Sequence, residues 1–186
     1  LGVTKAARVL DLCAAPGGKT VALAEAVGPD GAVLAVDFSA DRVETMRTEV
    51  LRRGLTNVAV VQADATDAAD VARTFQTAFD TYGSIDVSFH NAGISPPDDD
   101  SILTTGIEAW DRVQKVNLTS VYLCCKEVIP YMQRQGKGAI INTEAKTFDE
   151  SGELLAINQY IYFIRGAGNF GGDRGPSGEA NAAPSR

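Results

Sequence analysis

The sequence predicts an α/β domain: a parallel sheet of about five strands between layers of helix, cut short and followed by an irregular C-terminal tail. Three observations predict it. Short apolar runs alternate with longer segments of helical periodicity as far as residue 142. A Gly17-Gly18 pair joins the first apolar run to the first helical one. The final stretch, residues 166–186, is rich in Gly, Ala, Pro and Ser and carries few large apolar residues, a composition that predicts disorder.

The elements follow in order. Val9 to Leu12 reads as the first strand and Pro16 to Val27 as the first helix. Ala32 to Val36 reads as a second strand closed by Asp37, and Ala40 to Arg53 as a helix with Ser39 at its N-cap. Val58 to Gln62 is the third strand. In the helix from Ala68 to Tyr82, Val71, Phe75, Ala78, Phe79 and Tyr82 recur at helical spacing on one face. Ile85 to Phe89 is the fourth strand. After a loop from Ser95 to Thr105, one long helix runs from Ile107 to about Gln133, with Pro130 placed to kink or shorten it. Ala139 to Asn142 is the fifth strand, and Leu154 to Ile164 suits an extra strand or hairpin arm. The expected organisation is a cofactor-binding domain over 1–143, a possible strand or hairpin over 144–165 and a tail over 166–186.

Composition narrows the function. The chain has 186 residues, 45% hydrophobic, and a net charge of −7. The acidic balance argues against nucleic acid as a partner, since that binding relies on clustered Lys and Arg. No apolar run reaches membrane-spanning length. Three cysteines and one histidine, His90, lack metal-ligand spacing, so no metal site is expected. Reduced thiols suit a cytoplasmic setting. The oligomeric state is left open. Leu1 at the start suits a fragment or processed product.

The candidate site lies where strands of a parallel sheet end and their order reverses. The turn of Cys13, Ala14, Ala15, Pro16, Gly17, Gly18 and Lys19 lets backbone approach a ligand closely and opens a helix N-terminus. Asp37, closing the second strand, can accept hydrogen bonds from ribose hydroxyls. Asp64 and Ala65, after the third, can meet an adenine amino group. Together they predict a small-molecule cofactor containing adenosine.

The string Asp11-Leu12-Cys13-Ala14-Ala15-Pro16-Gly17-Gly18-Lys19-Thr20 resembles the first motif of RNA cytosine-5 methyltransferases, which implies S-adenosylmethionine (SAM) as cofactor. Asp86-Val87-Ser88-Phe89-His90-Asn91-Ala92-Gly93-Ile94 and Lys115-Val116-Asn117-Leu118 resemble a short-chain dehydrogenase/reductase. That resemblance implies a Rossmann-type sheet, with Asn91, Ala92 and Gly93 lining a nicotinamide-cofactor pocket. The segments Asp149 to Leu155 and Phe163 to Gly172 resemble a fragment of a hot-dog-fold enoyl-CoA hydratase. The chain thus reads as a mosaic, with joins near residues 57 and 144. Because the dehydrogenase turn Gly-x-x-x-Gly-x-Gly is absent, SAM is the first expectation and NAD or NADP the alternative; a chimera with no ligand is a third reading.

No catalytic set is expected. The cysteine contexts of the methyltransferases are missing. The dehydrogenase resemblance implies an Asn, Ser, Tyr and Lys set. Asn117 matches the first, but Ala145, Asn158 and Tyr162 stand where the other three belong, and no lysine follows Lys146. Asn117 is then expected to be a structural helix residue. Methyltransferase-like binding without complete catalysis is the leading reading, a degenerate dehydrogenase-like protein the second.

Overall fold

The structure, a computed structural model, describes residues 3–142, 145–148 and 154–158. Five parallel strands form the main sheet: β1 (Arg8–Leu12), β2 (Ala32–Asp37), β3 (Val58–Gln62), β4 (Val87–His90) and β5 (Ala139–Asn142), in the order β3-β2-β1-β4-β5. Five α-helices connect them or flank them: α1 (Gly18–Val27), α2 (Ala40–Arg52), α3 (Ala68–Tyr82), α4 (Ile107–Gln114) and α5 (Ser120–Gln135). This is the expected Rossmann-like arrangement. Its order reverses between β1 and β4, and Leu12 lies opposite Val36 on one side and His90 on the other.

Strand alternation divides the core into two layers. Leu10, Leu12, Leu34 and Val36 pack on one face of the sheet with Val71 and Phe75 of α3 and Cys124, Val128 and Met132 of α5. Val9 and Val33 meet Leu23 and Val27 of α1 on the other face, and Ala35 meets Val43 and Met46 of α2. Burying a side chain the size of Leu10 or Phe75 contributes about 1.5–3 kcal/mol, so these layers hold the strand ends in place. Phe79 and Tyr82 lie at the margin of the first layer.

Several boundaries differ from the sequence reading. The first helix starts at Gly18 because Gly17, with φ of 102°, is its left-handed N-cap. Ser39 occupies the N-cap of α2 but makes no side-chain cap bond; its N–H donates to Asp37 instead. The cap of α3 is Asp67, whose carboxylate accepts from the Asp70 N–H. The fourth strand is shifted C-terminally, to Val87–His90. The long helix is interrupted by π-type winding at Lys115–Thr119 and then continues through Pro130 to Gln135. A separate antiparallel pair, β6 (Ala145–Phe148) and β7 (Leu154–Asn158), follows β5. The expected disorder of 166–186, and the rest of the 144–165 segment, lie outside the described residues.

Gly31, just before β2, shows how tightly β1, α1 and β2 meet. A Cβ there would lie 2.5 Å from Val27 Cβ and 3.0 Å from the Ala7 carbonyl oxygen. The latter is backbone and cannot rotate away. Gly31→Ala is expected to cost about 1–3 kcal/mol. It should lower the urea midpoint without changing the slope of the transition; an unchanged midpoint would mean the contact relaxes freely.

Candidate cofactor cleft

The ends of β1 to β4 open into one cleft of about 400 Å³. Cys13 and Ala15 line it from the first turn, Asp37 and Phe38 from the end of β2, Asp64 and Ala65 from the loop after β3, and Asn91, Ala92 and Gly93 from the loop after β4. Four segments far apart in sequence thus share one cleft. The first turn itself is split. Ala14 is buried, Lys19 is exposed, and Pro16, Gly17 and Gly18 face a second cleft against α2.

Asp37 is held rigidly. Its Oδ2 accepts from the Ala15 N–H at 3.2 Å and its Oδ1 from the Ser39 N–H at 3.1 Å, and the residue is only 4% exposed. Each carboxylate oxygen has further acceptor capacity. Asp64 shapes the neighbouring loop by accepting from the Thr66 N–H at 2.8 Å.

The turn before α1 is closed on itself. The Ala14 N–H donates to the Val36 carbonyl, the Ala15 N–H to Asp37 and the Gly17 N–H to the Ala14 carbonyl. Pro16 has no N–H. Cys13 has φ of 61°, the left-handed region where a side chain is disfavoured. Burial, with the Asp37, Asp11 and Asp64 carboxylates nearby, pushes its thiol up to about 12, so it stays neutral and is a poor nucleophile.

Asp11 and His90 lie beneath the cleft. Asp11, in β1, is fully buried; Thr20 Oγ1 donates to its Oδ2 at 2.7 Å, while Oδ1 has no partner among the described residues. Burial raises its carboxyl to about 6 against the lowering effects of Thr20 and Lys19. His90, ending β4, places Nε2 2.8 Å from Ser88 Oγ and Nδ1 3.7 Å from Cys125 Sγ. Its burial pushes the imidazole down to about 4, so it is neutral at physiological pH.

Asn117, expected as a structural helix residue, bridges from its helix to the loop after β4. It lies in the π-type segment, a geometry often found at functional sites. Its Oδ1 accepts from the Ile94 N–H at 2.8 Å and its Nδ2 donates to the Ile94 carbonyl at 2.9 Å. This reciprocal pair clamps the loop that carries Asn91, Ala92 and Gly93. The sequence signal was the Lys115-Val116-Asn117-Leu118 string; the partner, 23 residues away, was not legible. Arg42 and Arg112 also line the cleft and were not anticipated. Arg112 is paired with Asp98 at 2.6 Å.

At two positions where the dehydrogenase resemblance implies Ser and Tyr, β6 and β7 place Ala145 directly opposite Asn158. Tyr162 lies outside the described residues. Among the described residues no group of His, Cys, Asp and Glu could hold a metal ion, and no helix is long and apolar enough to cross a membrane.

Comparison with known proteins gives a consistent family. The profile of the enoyl-(acyl carrier protein) reductase family matches residues 17–154. The 2-(R)-hydroxypropyl-CoM dehydrogenase of Xanthobacter autotrophicus is 35% identical over 111 residues, 59% of this chain and 44% of that protein. The 3-oxoacyl-(acyl-carrier-protein) reductase FabG of Staphylococcus epidermidis is 33% identical over 127 residues, 67% of this chain and 50% of the relative. Among solved structures, levodione reductase superposes with a TM-score of 0.67 at 27% identity, covering 77% of this chain and 55% of that one. A short-chain dehydrogenase/reductase from Burkholderia xenovorans gives 0.63 at 29% identity, covering 74% and 56%. The chain spans about half the length of the curated relatives it matches.

These similarities overturn the leading expectation of a SAM-binding, methyltransferase-like domain. The family match begins at Gly17, inside the segment read as methyltransferase-like, and runs past residue 143. The physical reason for the error is local: residues 11–20 describe one strand-turn-helix corner, and many parallel sheets need such a corner. The similarity carries the dehydrogenase part of the mosaic reading and not its methyltransferase or hot-dog parts.

Proposed function

The chain belongs to the short-chain dehydrogenase/reductase family, and we propose that it is a nicotinamide-dinucleotide-binding unit whose cleft holds the adenosine end of NAD. The observation that carries this reading is the Asp37 carboxylate, fixed by two backbone N–H groups at the cleft wall. A carboxylate at the end of the second strand suits the ribose 2′-hydroxyl of NAD and repels the 2′-phosphate of NADP. Arg42, which would attract that phosphate, is exposed and solvated, so we place Asp37 ahead of it.

Asp64 and Ala65 would border the adenine. Asn91, Ala92 and Gly93, held by Asn117, would border the nicotinamide side. When bound, NAD supplies a hydride-accepting ring; the residues named here bind and orient it. We assign no proton donor, since Ala145 and Asn158 stand where the family resemblance implies Ser and Tyr. Residues 1–143 are proposed as the cofactor domain. The three free thiols support a reducing, cytoplasmic setting.

Calorimetric titration tests the reading. NAD is expected to bind about tenfold or more tightly than NADP, a difference of about 1.4 kcal/mol. Equal affinities, or a preference for NADP, would transfer the specificity from Asp37 to Arg42.

A further inference from the structure

Accepting the dinucleotide reading above, we propose that Cys13 sets how much anionic charge the cleft admits: its side chain and closed turn disfavour the pyrophosphate and leave the adenosine end as the better-held part of the ligand.

Five observations bear on this residue and its turn. A phosphate-binding turn works by bringing bare backbone close to the anion and offering unpaired N–H groups. Here Cys13 puts a Cβ and a thiol into the cleft wall, at a φ of 61° that glycine would adopt without strain. From Ala14 to Gly17 every available N–H is already given to a protein acceptor. The carboxylates of Asp11, Asp37 and Asp64 all act on the Cys13 thiol, so the turn sits in a negative field. The cations on the cleft wall, Arg42 and Arg112, come from α2 and α4 and not from the turn. Pro16, Gly17 and Gly18, the part of the turn that could admit an anion closely, face the other cleft.

The test is a charge series. Adenosine, AMP, ADP and NAD are titrated calorimetrically into the wild-type chain and into Cys13→Gly, with circular dichroism to confirm that both are folded. In the wild type, affinity is expected to fall from adenosine to ADP. In Cys13→Gly, NAD and ADP are expected to bind about tenfold or more tightly than to wild type, with adenosine changed by less than about twofold. ADP binding the wild type more tightly than adenosine would overturn the proposal even if the variant did not fold. Equal NAD affinity in the two proteins, with adenosine bound by both, would overturn the role of Cys13 and leave the dinucleotide reading standing. Failure of every ligand to bind either protein would overturn both.

Discussion

Asp37→Ala is expected to weaken NAD binding by about ten- to a hundredfold, or about 1.4–2.8 kcal/mol. A charged hydrogen bond to a ribose hydroxyl contributes about 1.5–3 kcal/mol, which sets the range. NADP binding should fall much less, because the same substitution removes a repulsive charge. The ratio of the two affinities is therefore the sharper readout. Asp37 also accepts from the Ala15 and Ser39 N–H groups, so truncation could loosen the turn. Asp37→Asn removes the charge while keeping one of the two side-chain acceptors, so comparing it with Asp37→Ala, with each variant's melting temperature measured, shows how much of the loss comes from the charge. An unchanged NAD dissociation constant in both variants would remove Asp37 from the site.

The second large effect concerns pH. Asp11 is raised from 3.8 to about 6 by burial. A raised group contributes stability that is fully present below its unfolded value and lost as pH rises through the folded one. Asp11 therefore makes the fold less stable from about pH 4 to pH 6. His90 is lowered from 6.5 to about 4 by burial. Its contribution is present above pH 6.5 and lost as pH falls toward 4, the opposite slope over almost the same window. At 1.36 kcal/mol per pKa unit, each amounts to about 3 kcal/mol. In the wild type the two oppose each other. Asp11→Asn should unmask His90, so that stability relative to wild type rises with pH between 4 and 6. His90→Gln should unmask Asp11 and give the reverse. Urea unfolding at intervals from pH 4 to pH 7 measures both. Referring each variant to wild type removes the contribution of the other carboxylates. Parallel curves for all three proteins would show that neither group is perturbed as described.

The sheet was legible because hydrophobic periodicity and parallel-sheet physics are local. The third strand, the third helix and the fifth strand coincide with the sequence reading, since their apolar runs are bounded by unambiguous turn residues. Asp37, Asp64 and Asn91 meet at one cleft because each closes or follows a strand, and strand ends in such a sheet converge. The cofactor was misread at the corner where sequence was most persuasive. The string from Asp11 to Thr20 specifies a strand, a turn and a helix start, and those are common to several families; only similarity over most of the chain discriminated among them.

Taken by itself, the sequence determined the strand-helix alternation and the strand ends that carry the polar groups. Tertiary structure alone decided which groups share a cavity and in what state. It turned the first turn partly away from the cleft, joined Asn117 to Ile94 across 23 residues, and buried Asp11 and His90 beneath the site. Periodicity reports how one segment faces its nearest layer. Hydrogen-bond pairing and desolvation depend on atoms from several segments at once, and those are specified only when the chain has closed on itself.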